Sequence, residues 1–199
     1  MKSQSSKPKT IEPDFLLMAY CNGYFPMAEP KTGEIQWYSP DPRGVFDLKE
    51  FHITRSLSLT IKKKHFEVRI DTAFEEVMRR CGGREETWIS EDLVQSYVKL
   101  HRLGFAHSVE CWRENKLVGG LYGVSIAGAF FGESMFSIER DASKVALVHL
   151  VDRLKARGFE LLDTQFLTPH LARFGAREIP RTEYLEKLEK ALEKKNIFV

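Results

Sequence analysis

Between Ala106 and Phe136 the chain shows three apolar runs, Ala106–Trp112, Leu117–Val124 and Ala129–Phe136. Only Glu114-Asn115 and Ser125–Gly128 separate them. Runs of this length joined by such short turns predict an antiparallel three-strand meander. A helical pattern follows at once: Val145, Val148, Leu150, Val151 and Leu154 form an apolar face between Asp141 and Gly158. Phe159–Leu162 then reads as a short buried strand. The stretch from Phe131 to Asp163 is therefore a strand–helix–strand crossover attached to a meander, and such crossovers are right-handed in roughly 98% of cases. If the two strands are neighbours, their C-terminal ends emerge on one edge of the sheet, where ligands usually sit. That edge would collect Glu133, Ser134 and Met135 near one strand end. Asp163 and Gln165 would lie just past the other.

The flanking segments complete an α/β (α+β) layer with a mixed sheet. Phe66, Val68 and Ile70 alternate with polar partners, a strand pattern. Asp71 is expected to cap a helix ending at Gly82-Gly83. Ser90 is expected to cap another, closing at Gly104, with Glu91 and Asp92 in its first turn. Asp141 is expected to cap the crossover helix. Pro169 starts a helix at its favoured first position, and Tyr184–Lys195 reads as a final amphipathic helix. Upstream, Phe15–Tyr20 is a short helix closed by Gly23, and Ile35–Tyr38 is an apolar run stopped by Ser39-Pro40-Asp41-Pro42. This divides the chain into a small N-terminal subdomain over residues 1–50, with 1–10 a frayed tail, and a main domain over 51–199.

Composition bounds the function. Thirty basic residues against 28 acidic ones leave a net charge of +2, too little for a nucleic-acid coat but compatible with a local basic patch. Three widely spaced cysteines, Cys21, Cys81 and Cys111, form no CxxC pair, which points away from a disulfide framework or zinc site and toward a reducing cytosol. No apolar stretch reaches membrane-spanning length, and residues 1–10 lack the apolar core of a secretory signal. No metal constellation stands out: His101 and His107 read as structural.

The chemistry concentrates in Phe130-Phe131-Gly132-Glu133-Ser134-Met135-Phe136. A carboxylate amid four large apolar side chains sits either on a solvent face, or against a buried arginine, or in an apolar pocket with one acidic contact. The last is the usual make-up of a small-ligand site. Asp163-Thr164-Gln165 likewise places a carboxylate and an amide after an apolar run, where the aspartate could instead cap a turn.

These residues resemble the leucyl/phenylalanyl-tRNA–protein transferase family. The matching stretches are Gly23-Tyr24-Phe25-Pro26, Trp37-Tyr38-Ser39-Pro40-Asp41-Pro42-Arg43 and Thr87-Trp88-Ile89. They continue with Ala106-His107-Ser108-Val109-Glu110, the run Leu117–Val124 containing Gly119-Gly120-Leu121-Tyr122-Gly123, Gly132-Glu133-Ser134-Met135-Phe136-Ser137, and Asp163-Thr164-Gln165 with His170-Leu171. The family's Trp-Trp pair reads Trp37-Tyr38 here.

The resemblance implies an N-acetyltransferase (GNAT)-like sheet flanked by helices. It implies an aminoacyltransferase moving a leucyl or phenylalanyl group, with methionyl as a further donor, from aminoacyl-tRNA to the α-amine of proteins beginning with Arg or Lys. The ester is already activated, so no cofactor is needed, and no membrane partner is implied. Asp163, Gln165 and Glu133 are the expected catalytic group. The acyl side chain would occupy a pocket of Leu121, Phe130, Met135, Leu150 and Leu162 beside Ser134, and Trp37, Tyr38 and Trp88 would stack on the terminal adenine. Lys62-Lys63-Lys64, Arg80 and Arg84, with Arg55 and Arg79 nearby, would meet the tRNA backbone and make binding fall with salt. The alternative is an acetyl-CoA-dependent N-acetyltransferase of the same fold. Such an enzyme holds pyrophosphate in a Gly-rich turn at a helix N-terminus. The corresponding turn, Ile138-Glu139-Arg140-Asp141, has no glycine and two acids.

Overall fold

The computed structural model describes residues 9–83 and 87–199. Helix α1 (Pro13–Cys21) leads into a hairpin of β1 (Phe25–Ala28) and β2 (Ile35–Tyr38). Then come β3 (Arg43–Phe46), α2 (Arg55–Lys62), β4 (Glu67–Ile70), α3 (Phe74–Cys81) and α4 (Glu91–Arg102). The meander is β5 (Ala106–Arg113), β6 (Lys116–Ile126) and β7 (Ala129–Ser137). It is followed by α5 (Ala142–Ala156), β8 (Leu161–Gln165), α6 (Pro169–Ala172), β9 (Ala176–Ile179) and α7 (Arg181–Leu192).

Strands β4-β5-β6-β7-β8-β3-β9 form one seven-stranded mixed sheet, and only β7 and β8 pair in parallel. The meander and crossover are thus where the periodicity placed them. The long, uninterrupted apolar runs of β6 and β7 have a simple cause: the sheet is covered on both faces. On one side Tyr20, Val77, Leu93, Tyr97, Phe131 and Leu188 fill a core under α1, α3, α4 and α7. On the other, Leu57, Phe130, Leu147, Val151, Leu162 and Phe198 pack under α2 and α5. Phe130 and Phe131 go to opposite cores because successive strand side chains alternate. No helix among the described residues is long and apolar enough to cross a membrane.

Several expectations need correction. Strands β3 and β9 and helix α2 went unread; each strand has only four residues, and β3 follows the proline-rich stretch read as a turn. Although it lies within residues 1–50, β3 is an interior strand of the large sheet. Of the predicted frayed tail, residues 1–8 lie outside the described residues, while residues 9–11 are tied to α4. The Lys9 amide donates to Asp92, the Ile11 amide to Ser96, and Lys99 to the Thr10 hydroxyl. Ser90 and Thr168 cap their helices, but Asp71 and Asp141 do not. Asp71 is drawn to β5 instead, accepting from the Ser108 amide and from His107 Nδ1. The buried Glu110 carboxylate then serves the start of α3, accepting from the Ala73 amide and the Thr72 hydroxyl. Asp141 takes Lys144 Nζ at 2.6 Å. Capping read from sequence is a local inference: at Asp71 donors 36 and 37 residues away win, and at Asp141 a lysine of the first helical turn does.

The glycines of β6 have steric reasons. A Cβ at Gly119 would meet Ala142 Cβ at 2.5 Å, so this glycine lets the start of α5 lie against the strand. At Gly123 it would meet the Phe131 carbonyl and the Phe130 ring well inside contact distance, at the register shift between β6 and β7. Gly123→Ala is expected to destabilise the fold by at least ~1–3 kcal/mol through overpacking, read as a lowered urea midpoint. An unchanged midpoint would contradict that contact.

Candidate active site

The parallel pair β7 and β8 stays together for three residues only: Ala129 with Leu161, Phe130 with Leu162, and Phe131 with Asp163. Beyond that point the strands part. A cavity of about 1230 Å³ opens there, bordered by Gly132–Ile138 from one strand end and by Thr164, Gln165 and Phe166 from the other. It reaches both faces of the sheet. On the α5 side it is lined by Leu121, Met135, Leu147, Leu150 and Leu162; on the α3 side by Met27, Trp88, Tyr122 and Glu133.

Glu133 is 9% exposed and heavily bonded. Its Oε1 accepts from the Tyr20 hydroxyl at 2.6 Å and from Gln165 Nε2 at 2.8 Å, and Oε2 accepts weakly from Tyr97 at 3.4 Å. The Tyr20 and Tyr97 hydroxyls also meet each other; with one proton apiece they fill two of the three contacts among hydroxyls and carboxylate while Glu133 is ionised, and all three once it is protonated. Burial raises the Glu133 pKa to about 7; the negative field of Asp163 adds to this, while the Tyr20, Gln165 and Tyr97 hydrogen bonds oppose it. Burial likewise pushes the two tyrosines well above their ordinary range, so they remain neutral donors. A carboxylate only accepts, so the amide nitrogen of Gln165 must face Glu133. The Gln165 carbonyl oxygen is thereby left as an acceptor. Gln165 has φ +66°, a left-handed conformation at the end of β8, and its backbone N–H is fastened to Asp163 Oδ1 at 2.8 Å.

Asp163 differs from its expected placement. It lies inside β8 rather than past its end, is fully buried, and does not border the cavity. Arg43 clamps it with two bonds, Nε to Oδ1 at 3.0 Å and Nη2 to Oδ2 at 2.6 Å, and Tyr184 donates to Oδ2 at 2.8 Å. Arg43 is itself 1% exposed, donates to the Gly23 carbonyl, and lies over the rings of Phe25 and Tyr184. Asp163 therefore holds the Gln165 backbone and does not face the cavity. The three chemical residues do form one grouping, through Gln165 at its centre.

Of the expected acyl-pocket residues, Leu121, Met135, Leu150, Leu162 and the neighbouring Ser134 line the cavity. Phe130 does not: it is fully buried against Phe198 in the second core. Trp88 lines the cavity, whereas Trp37 and Tyr38 do not. Trp37 packs on the first core and meets Phe15 edge-on, and Tyr38 stacks on Phe25. Among the basic residues, Arg80 borders the cavity while pairing with Glu76, and Arg79 is held by Glu75 and Glu91. Arg84 lies outside the described residues. Lys62–Lys64 end α2 just ahead of β4. That strand start lies at the same sheet edge as the C-terminal end of β7, because three antiparallel pairings separate the two strands.

Sequence reasoning missed Tyr20, Tyr97 and Arg43, whose partners lie 113, 36 and 120 residues away, and Met27 in the cavity wall. Only Arg43, at the end of the proline-rich motif, carried a signal: a charged residue entering an apolar run.

The turn before α5 is poorly suited to pyrophosphate. Its Ala142 amide already donates to the Glu139 carbonyl and its Ser143 amide to Ser137 Oγ, with the carboxylates of Asp141 and Glu139 alongside. The acetyl-CoA reading loses its expected phosphate cradle. Cys111 offers no thioester route, since burial pushes its thiol up to about 12.

Comparison with known proteins settles the family. The model for "Leucyl/phenylalanyl-tRNA protein transferase" matches residues 45–189, and the model for its N-terminal domain matches residues 9–41. The chain belongs to the leucyl/phenylalanyl-tRNA–protein transferase family. Its relative from Herpetosiphon aurantiacus, bearing that name, is 57% identical over 186 residues, 93% of this chain and 96% of that protein. The one from Gloeobacter violaceus is 54% identical over 183 residues, 92% and 95% of the two chains. Among solved structures, "The structure of L-PGS from Bacillus licheniformis" aligns with a TM-score of 0.42 at 14% identity, covering 90% of this chain and 63% of that one. The N-terminal model ends at residue 41 and the second begins at residue 45, inside β3, so in this family member the N-terminal part is α1 with the β1–β2 hairpin.

Proposed function

We propose that this family member transfers a leucyl, phenylalanyl or methionyl group from the 3′ end of a charged tRNA, in the cytosol. The acceptor is the α-amine of a protein beginning with Arg or Lys, which is thereby marked for N-end-rule degradation. The supporting observation is the cavity that passes through the parted strands, oily on the α5 side and holding the buried Glu133–Gln165 pair on the other. The division of labour follows: residues 51–199 carry the chemistry, and the N-terminal segment supplies Tyr20, Arg43 and one wall.

An α-amine has a pKa near 8, so roughly a tenth is neutral at pH 7 and no strong base is needed. The Gln165 carbonyl oxygen accepts one amine hydrogen and sets the direction of attack. As the nitrogen bonds the ester carbon, Glu133 takes a proton from it, which a carboxyl poised near 7 does well. Collapse of the tetrahedral intermediate breaks the bond to the ribose oxygen, and Glu133 returns the proton there. Tyr122 and Thr164 line the cavity, and their buried hydroxyls have no protein partner, so a small shift of the wall offers them as donors to the transient oxyanion. Trp88 stacks on the terminal adenine, beside Met27, and Lys62–Lys64 with Arg80 meet the backbone phosphates.

The acyl side chain enters the lobe of Leu121, Met135, Leu150 and Leu162. A hydrophobic pocket separates near-sized side chains by only ~1–3 kcal/mol per methylene, which suits a site that accepts both Leu and Phe. Leu150→Phe is expected to shift relative kcat/KM toward leucyl by about 10-fold or more, measured with both donors in competition. An unchanged ratio would place the acyl group elsewhere. The reaction itself is tested with purified protein, radiolabelled leucyl-tRNA and a peptide beginning with Arg. Acid-stable label appears on the peptide, and none appears when acetyl-CoA replaces the tRNA. No transfer from any charged tRNA to a basic N-terminus overturns the assignment.

A further inference from the structure

Beyond Met27, one wall of the cavity mouth has no part in that chemistry. Strands β1 and β2 pair with Phe25 opposite Tyr38 and Met27 opposite Gln36, so these four side chains share one face of the hairpin. Met27 lines the cavity. Phe25, itself buried, stacks on Tyr38 at 6.1 Å between centroids and meets Phe166 edge-on at 5.8 Å. Phe166 also borders the cavity. Phe166 and Tyr38 are 45% and 40% exposed, an open aromatic surface that continues the cavity outward. Aromatic rings on a buried support are rigid, so contact with them costs little ordering.

Charge decides what runs over this surface. The segment 23–42 carries Glu29, Glu34 and Asp41 against the single cation Lys31. Among the described residues, none of these three carboxylates is in an ion pair. Arg181 of α7 packs over the Tyr24 ring beside Asp41 and leaves the surface about one charge negative; that balance disfavours a phosphate backbone and suits a chain that starts with a basic residue and a free amine.

We propose that Tyr38 and Phe166, seated on Phe25, form a docking wall for the acceptor polypeptide beyond its first residue. The inference rests on the proposed transfer reaction. An acceptor whose amine reaches Glu133 must leave through the cavity mouth, and this wall is the exit with matching charge. Contact through ring faces is tolerant of sequence, as it must be for acceptors that share only their first residue.

The test compares a dipeptide and a decapeptide, both beginning with Arg, in wild type, Tyr38→Ala and Tyr38→Phe. In wild type the decapeptide has the lower KM. Tyr38→Ala raises the decapeptide KM by roughly five- to tenfold. The dipeptide KM, the aminoacyl-tRNA KM and kcat do not move, and Tyr38→Phe behaves as wild type. Equal effects on both peptides, or no effect on either, overturn the proposal. A rise in the aminoacyl-tRNA KM instead makes the wall an RNA platform and also overturns it. Absence of wild-type transfer even to the dipeptide is a different result and strikes the reaction assignment. Tyr38 is exposed, and an unchanged melting curve excludes misfolding.

Discussion

Glu133→Gln is expected to lower kcat/KM for transfer to an Arg-starting peptide by about 10²–10⁴-fold, the usual contribution of a positioned proton acceptor. The substitution keeps the shape of the side chain and leaves it able to accept from Tyr20, so the fold should survive. The pH profile separates this loss from a general weakening. In the wild type, Glu133 is protonated and inactive below about 7, and kcat/KM rises as it ionises. A second rise near 8 reports the acceptor amine. Glu133→Gln should lose the first rise and keep the second. Stability gives an independent reading with its sign fixed by linkage. The folded-state pKa is raised above the ordinary value of 4.5, so folding binds a proton between pH 4.5 and about 7. The associated stability is present below pH 4.5 and lost as pH rises through about 7, to the extent of about 3 kcal/mol. The variant should lack that decline, measured by urea unfolding across the range. A Glu133→Gln enzyme with wild-type rate and profile would remove the carboxylate from the reaction.

Asp163→Ala should abolish transfer for a different reason. It leaves the Arg43 guanidinium buried at 1% exposure with no counter-charge, which typically destabilises by about 3–5 kcal/mol. At roughly 2–4 °C per kcal/mol in a chain of this size, the melting temperature falls by about 6–20 °C. Arg43→Ala should do the same from the other side. The double variant Arg43→Met with Asp163→Leu removes both charges and should recover much of the stability, because a hydrophobic replacement of a buried pair is often neutral. It should not recover transfer, since the Gln165 N–H loses its acceptor and the left-handed backbone at that residue loses its anchor. A stable double variant with full activity would show that the ion pair has no bearing on the position of Gln165.

Periodicity carried the architecture. The meander and the crossover from β7 through α5 to β8 could be read because each buried face leaves a regular trace; that β7 and β8 are neighbours was a condition of that reading, which the structure meets. The short strands β3 and β9 left too little pattern. Asp71 looked like a helix cap because capping is judged over a few residues, yet donors from β5 were closer in space; Asp141 does stand at the start of α5, but with φ +68° its side chain turns to Lys144 instead of the helix amides. The grouping of Glu133, Asp163 and Gln165 was legible from parallel strand ends; the order of influence within it was not. Asp163 read as a participant, and only coordinates show Arg43, 120 residues earlier, consuming its charge. Trp37 and Tyr38 looked equivalent as stacking platforms. Strand alternation sends Trp37 into the core and leaves Tyr38 on the outer wall.

By itself the sequence determined the mixed sheet and the family, because apolar spacing and short motifs are local and survive as text. The tertiary structure alone decided which carboxylate meets the cavity, which is neutralised, and that the cavity passes through the sheet. Those depend on where β7 and β8 part and on side chains from distant segments that supply charge, hydroxyls and burial, and such convergence in space has no linear signature.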